Sequence, residues 1–326
     1  MKYKESDLEN YAAPIGKTED EKCRHAIEMV RDALTPAGYA QIGNFSLQAN
    51  GTGSYVLNMS RTDRLGNTRR IKLLVQGSYA NKTNIPSESD VDVAVILETG
   101  FSPFVKVGNS ISFTNPNQPF LDAAVLKKFK DEIEDLLRAK FRTGVSRHNK
   151  SIQIRGNTYR VDADVVPCGR YNGQVKWGEK WYSISGVRIQ PDSGTAIINY
   201  PERHIVNGEK RNAESSYLFK KLVRIMKHIR ANMEDCGWAS AKQVSSFAIE
   251  SMLWNVPVSE YAKFPSVLWY SFNTAVDWLQ DNKSKIGSFW EINGIKSFDE
   301  DDPSRSRVCM AFLNELFRHY DYEHTT

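Results

Sequence analysis

The chain has 326 residues, 40% hydrophobic and 25% charged, with a formal net charge of +4. That composition excludes a disordered or fibrous chain and leaves room for two structural units of roughly 100–200 residues each. The mild charge favours anionic ligands but falls short of a dedicated DNA-binding surface. Cys23, Cys168, Cys236 and Cys309 form no C-x-x-C pair, the first ten residues hold no apolar signal core, and no stretch is long enough to span a membrane. A cytoplasmic protein without a membrane partner is expected.

In chain order, Thr18 and Glu21 form a capping box, and Ala26, Ile27, Val30, Ala33 and Leu34 recur at helical spacing until Pro36, which predicts a long first helix. Residues 37–64, rich in Gly, Asn, Ser and Thr, read as loops with a weak strand. IKLLVQ at 71–76 predicts a short buried strand, so Gly77-Ser78 falls where the chain leaves the sheet and its backbone N–H groups can point at a phosphate. Val91 to Leu97 predicts a second strand. Side chains two apart share a face, so Asp90 and Asp92 stand together while Val91, Val93 and Val95 enter the core.

The series Leu121, Ala124, Val125, Phe129, Ile133, Leu136 and Leu137 predicts an amphipathic helix, and the alternating run 151–166 predicts a strand with Asp162 and Asp164 on one face. After Tyr200-Pro201 the pattern turns helical, over 213–234, 239–256 and 303–319. With no repeat and no flexible linker, a unit of residues 1–205 and a unit of 206–326 are expected to pack as one body with a cleft.

Asp90 and Asp92 repel each other unless a cation lies between them. A third acid would complete a metal site. Asp162 has an ordinary alternative, pairing with Arg155 or Arg160, which leaves Asp164 as the better ligand. Oxygen ligands without His or Cys suit two Mg²⁺ ions, with Mn²⁺ as a substitute, and such a pair serves in-line attack on an α-phosphate.

Taken together, QGSYANKTNIPSESDVDVAVIL, VDADVVPC, IINYPERHIVNGEKRN, FKKLVRIMKHI and SSFAIESMLWNVP resemble the bacterial CD-NTases, relatives of cyclic GMP-AMP synthase and oligoadenylate synthetase that make cyclic oligonucleotide signals in anti-phage (CBASS) defence. The likeness spans about residues 70 to 260. It implies an α+β protein: a polymerase-beta-like nucleotidyltransferase core of mixed sheet and helices, an N-terminal spine helix and a C-terminal helical lobe completing the NTP cleft. It further implies that Asp90, Asp92 and Asp164 hold two Mg²⁺ ions and that Gly77 and Ser78 hold the donor triphosphate. Lys227 matches a lysine that reaches the triphosphate and Ser246 a serine of similar role; the ordinary alternative for Lys227 is a solvated helix face.

Phe247 falls where relatives stack a ring on a base, or else belongs to the core. Asn199 resembles the position against the donor base, where Asn goes with uridine and Ser with purines; its alternative is to cap the turn before Pro201. His204 is expected to be structural, donating to a backbone carbonyl. The substrates implied are NTPs, UTP alone or with ATP, and the effector is expected to bind the product rather than the enzyme. No zinc-ribbon cluster interrupts the chain after Tyr200, which argues against activation by double-stranded nucleic acid. The competing functions are a polymerase-beta-like transferase that modifies a protein, RNA or small molecule, and an inactive nucleotide-binding regulator.

Overall fold

Aliphatic and β-branched runs before residue 200 pair as strands, and the apolar stripes after it fold as helices. The computed structural model describes residues 2–46, 55–88, 90–107, 110–112, 121–177 and 180–322. It divides into a sheet unit, Lys17–Ala80 with Ser89–Glu202, and a helical unit, Met1–Gly16 with Asn81–Glu88 and Arg203–Thr326. Where the sequence suggests one cut after residue 205, the structure thus groups residues 1–16 and 81–88 with the helices.

The chain opens in the helical unit with β1 (Lys2–Tyr3) and α1 (Glu5–Ala12). The sheet unit runs α2 (Lys17–Leu34), β2 (Ala40–Ser46), β3 (Val56–Thr62), β4 (Thr68–Gln76), α3 (Gly77–Asn81), β5 (Val91–Val107), β6 (Ser110–Ser112), α4 (Ala123–Phe141), β7 (Val145–Arg147), β8 (Ile152–Ile154), β9 (Ala163–Trp177), β10 (Lys180–Ile189) and β11 (Ile197–Asn199). Helices then follow as α5 (Pro201–Glu214), α6 (Phe219–Asp235), α7 (Ala239–Gln243), α8 (Ser246–Asn255), α9 (Val258–Tyr261), α10 (Leu268–Asp281) and α11 (Arg305–His319), before β12 (Asp321–Tyr322) pairs in parallel with β1.

The sheet has the order β11-β10-β9-β5-β4-β3-β2, with β6 beside β5 and β8 beside β9. Its one long parallel pairing, β5 with β9, carries the acids; β4 and β10 flank that pair antiparallel. One face of β5, through Val91, Val93, Val95 and Leu97, is fully buried, and α2 and α4 pack on the β5–β9 pair. Burial of each such side chain contributes about 1.5–3 kcal/mol. Gly169 lets α4 and the chain just before it sit close, since a Cβ there would meet Leu126 Cδ2 of α4 at 2.9 Å and Leu121 Cδ1 at 2.6 Å. The other face carries a smaller apolar patch, Val56, Leu74, Ala94, Ile96, Val166, Cys168, Val187 and Ile189.

Several local expectations change. The stretch read as loops forms strands β2 and β3, and Asp63 Oδ1 accepts from the backbone N–H groups of Leu65 and Asn67 to turn β3 into β4; residues 47–54 lie outside the described residues. The helix expected over 213–234 is broken, because Ser216 and Tyr217 take left-handed φ values of 52° and 64°. The helix expected over 239–256 is also two helices, and Ser245 starts the second by accepting from the Ala248 N–H at 3.1 Å. The single strand predicted over 151–166 is two, β8 and β9, which pair antiparallel across the 155–162 loop, and pairing with β10 carries β9 on to Trp177.

Helix α6 buries an apolar face, but it also buries four cations. Lys220, Arg224, Lys227 and Arg230 stand at helical spacing and are all at most 7% exposed. Such charges are costly unless each finds a partner. Lys220 Nζ pairs with Glu209 at 2.6 Å, Arg224 donates to the carbonyls of Ala12 and Lys82, and Arg230 pairs with Glu88. Lys227, fully buried, donates to Thr83 O at 3.0 Å and lies 3.6 Å from Glu250 Oε1. Thr83 Oγ1 also donates to Glu250, and His204 Nε2 bonds its other oxygen at 2.7 Å. These contacts are why residues 81–88 belong to the helical unit.

Burial alone would raise the Glu250 carboxyl, but the His204 hydrogen bond, Lys227 and Thr83 outweigh it and hold it down at about 2. Because the folded value lies below the ordinary 4.5, this group's contribution to stability is complete above about pH 4.5 and is lost as the pH falls toward 2. Glu250→Ala should therefore cost about 3–5 kcal/mol in denaturant unfolding at pH 7, since it leaves Lys227 buried without its counter-charge. Glu250→Gln should flatten the acid limb of a stability–pH profile between those two pH values.

Candidate active site

The acids are positioned by strand register. Asp92 and Asp164 are direct partners across the parallel β5–β9 pair, and Gln76, the last residue of β4, pairs with Asp92 from the other side. Asp90 immediately precedes β5. Gly77, which follows Gln76, has φ +68°, and a Cβ there would lie 2.0 Å from Asp92 Oδ2. A side chain at this position would collide with the carboxylate, so glycine serves here both for its backbone conformation and for clearance. Ser78 follows at the head of the short α3.

Asp162 and Asp164, one residue pair apart on the same face, have different surroundings. Asp162 accepts from the Gly156 N–H at 2.6 Å and from Gln153 Nε2 at 3.4 Å, while its own carbonyl receives the Val91 N–H at 3.1 Å. It thus holds the 155–160 loop and the start of β5. Its expected partner was an arginine, but among the described residues its carboxylate is held by an amide and a glutamine instead. Asp164 Oδ1 is buried with no hydrogen-bond partner.

Burial, and then the carboxylates of Asp162 and Asp164, raise the Asp90 carboxyl above its ordinary value; burial also raises Asp164, opposed by His148 and helped by Asp162. Among the described residues no three acidic, His or Cys side chains are drawn together as a ready coordination shell. The orphaned Asp164 oxygen and the glycine clearance beside Asp92 nonetheless fit a hard divalent cation, whose oxygen ligands need unspent lone pairs.

Asn199 ends β11 opposite Val187 and so shares the acids' face of the sheet. Its side chain makes no hydrogen bond among the described residues, so it does not cap the turn before Pro201. On the same face a cleft of about 720 Å³ is lined by Arg70, Lys72, Glu98, Arg170, Asn172 and Glu202 among others. Its charges are largely committed to one another, Arg170 to Glu98 at 2.6 Å and to Glu202 at 3.2 Å, and Lys72 to Glu202. Sequence reasoning missed this cleft because its residues come from six strands and α5, with no local motif.

In the helical unit the expected residues fare unevenly. Lys227 does not lie on a solvated helix face, since its buried ammonium donates to Thr83 O and faces Glu250. The signal that was available is the cation spacing 220, 224, 227, 230. His204 also differs from expectation: it bonds the Glu250 carboxylate, not a backbone carbonyl. Ser246, the first residue of α8, donates to Glu88 Oε2 at 2.6 Å. Phe247 is half-buried against the helical core, with the Arg305 guanidinium 5.5 Å from its ring centroid and His204 edge-on at 5.5 Å.

A mixed sheet with paired acids beside a glycine-headed turn, followed by a helical unit, defines a nucleotidyltransferase. A family profile for the cGAS/DncV-like nucleotidyltransferase C-terminal helical domain matches residues 206–321. The chain is similar to a cyclic GMP-AMP synthase, CdnE03, of Staphylococcus schleiferi, with 34% identity over 99% of this chain and 98% of that one. It is also similar to a cyclic dipyrimidine nucleotide synthase, CdnE, of Cecembia lonarensis, with 30% identity over 78% of this chain and 76% of the other. The fold is shared with the solved Elizabethkingia meningoseptica CdnE cyclic dinucleotide synthase, at a TM-score of 0.72 and 24% identity, covering 97% of this chain and 98% of that chain. The chain belongs to the cGAS/DncV-like nucleotidyltransferase family, the CD-NTases.

The two neighbouring aspartates should separate in thermal melts at pH 7 without added divalent ions. Asp164→Asn removes an ill-solvated charge and should raise Tm, whereas Asp162→Asn weakens the hold on Gly156 and should cost about 1 kcal/mol. The opposite order would exchange their roles.

Proposed function

We propose that this chain joins nucleoside triphosphates into a cyclic di- or trinucleotide, releasing pyrophosphate at each bond, as a second messenger of cytoplasmic anti-phage signalling. The observation that carries the reading is the register of Asp92 with Asp164 beside Gly77, in a chain alike over its length to named cyclic nucleotide synthases. Asp90, Asp92 and Asp164 are the residues that would hold two Mg²⁺ ions, with Mn²⁺ as a substitute. Bound there, such ions would acidify the attacking ribose hydroxyl and neutralise the departing pyrophosphate.

The chain's own groups supply positioning. Gly77 brings its backbone against the acid without a side chain in the way, and the Gly77-Ser78 turn offers N–H groups to the donor phosphates. Ser246 offers a hydroxyl to an anion, the role it already fills toward Glu88. The half-exposed Phe247 ring offers a stacking face to a base, and the unengaged Asn199 amide can donate to uracil O4 and accept from N3–H. Flipped, the same amide matches adenine, so guanine is the base it disfavours. We assign no phosphate contact to Lys227.

The product, rather than the enzyme, is what an effector would bind. Among the described residues no helix is long and apolar enough to cross a membrane. Transfer to a protein, RNA or small molecule remains the rival use of this core, and the likeness to cyclic nucleotide synthases over the whole chain favours cyclisation.

Incubation with all four NTPs and Mg²⁺ or Mn²⁺, followed by chromatography and mass spectrometry, should give a phosphatase-resistant nucleotide containing uridine, alone or with adenosine. A requirement for a separate acceptor would favour the rival. Asp90→Asn with Asp92→Asn should leave a folded protein without synthesis, the barrier raised by several kcal/mol or more. Asp164→Ala should abolish turnover, and Asp162→Ala should keep most of it per folded molecule. Asn199→Ser should shift incorporation toward purines; a wild-type enzyme that ignores UTP would sink the base assignment alone.

A further inference from the structure

Phe247, the second residue of α8, is held from two directions by groups that are themselves fixed. The Arg305 guanidinium lies over its ring, 5.5 Å from the centroid, and His204 meets the ring edge-on at 5.5 Å. His204 is anchored by the buried Glu250 at 2.7 Å. Arg305, the first residue of α11, is anchored by a second buried acid: its Nη1 donates to Glu291 Oε1 at 2.7 Å and also to the carbonyl of Phe298. The same guanidinium lies 5.5 Å from the centroid of the Phe298 ring, so one planar cation serves two rings, Phe298 fully buried and Phe247 partly exposed.

Glu291 is in turn fixed by its own loop. Its Oε2 accepts from Asn293 Nδ2 at 2.6 Å, Asn293 Oδ1 accepts from the N–H groups of Ile295 and Lys296, and Trp290 bridges to Ser297. The side chains of Arg305 and Glu291 are 12% and 3% exposed. Apolar residues of similar volume would tie loop to helix at least as well, since a buried ion pair loses much of its attraction to desolvation. They would not supply a flat cation at a set distance from a partly exposed ring, an attraction that grows as water is excluded.

We propose that Arg305 is a positioning residue for base recognition: braced by Glu291, it fixes the Phe247 ring so that the uncovered part of that ring is ready to stack on a nucleobase. The inference rests on the reading of Phe247 as a stacking ring in an NTP-using enzyme. A ring already fixed loses little freedom when a base settles on it, so affinity gained through the base depends on the brace, whereas affinity gained through the phosphates does not. Arg305 acts through the ring and makes no nucleotide contact of its own.

The test is titration calorimetry of the full chain with Mg²⁺ and two kinds of probe: non-hydrolysable α,β-imido analogues of UTP and ATP, and inorganic tripolyphosphate, which has no base. Arg305→Met, which keeps most of the side chain's length without its charge, should weaken binding of the analogues about fivefold and leave tripolyphosphate unchanged. Arg305→Lys should recover part of the loss, and serves if the Met variant misfolds. Phe247→Leu should weaken the analogues at least as much, and adding Arg305→Met to it should cost nothing further, because the brace then has no ring to hold. Equal effects on both kinds of probe, no effect on either, or a full second loss in the double variant would overturn the proposal and leave Arg305–Glu291 as a tie between the loop and α11. The expected pattern from a chain that forms no cyclic product from four NTPs would sink only the synthase reading, and normal synthesis with nucleotide affinity indifferent to Arg305 would sink only this one.

Discussion

The need to neutralise four cations buried along α6 governs how this chain is organised. An ammonium or guanidinium removed from water must be met by an anion or by carbonyls, and α6 obtains them from far along the sequence: Ala12, Lys82, Thr83, Glu88, Glu209 and Glu250. Three of those partners lie in the segment between the Gly77-Ser78 turn and Asp90. The segment is therefore drawn into the helical unit although both of its neighbours belong to the sheet. Apolar packing alone would not specify which loop docks there, because it is non-directional, whereas paired charges and directed carbonyls do specify it.

The acids show the converse arrangement. Where each α6 cation has an anion or carbonyl beside it, the β5–β9 pair leaves an Asp164 oxygen without a donor and sets carboxylates side by side. Local stability is sacrificed at that point, which is the pattern expected where a site is built for a ligand rather than for the fold. Asp162 marks the boundary, since two residues away on the same face an identical side chain is fully employed in holding a loop.

Part of the fold was legible from the residues. The strand over 71–76, its end at the Gly77 turn and the burial of Val91, Val93 and Val95 follow from a two-residue period, which is a local property. Helix α2, read from the sequence as the first, ends at Leu34, two residues before Pro36, while the shorter α1 ahead of it was not read. What was not legible depends on distant partners. Residues 40–46 and 56–62 form strands because neighbours complete their hydrogen bonds, not because their own composition favours it. Lys227 reads as a surface lysine until Thr83 and Glu250 are seen around it. The break at Ser216-Tyr217 needs two non-glycine residues in the left-handed region, for which the sequence carries no signal.

The α6 stripe also constrains how relatives of this chain can diverge. A single change from Lys227 or Glu250 to a neutral residue leaves the other buried alone, so most one-step mutational paths pass through a poorly folded intermediate. Viable paths alter both members together, or replace the pair by apolar residues in one event. The helical unit should therefore record its history as correlated substitutions, with position 227 tied to 250 and 230 tied to 88, while the solvent-facing positions of the same helix drift independently.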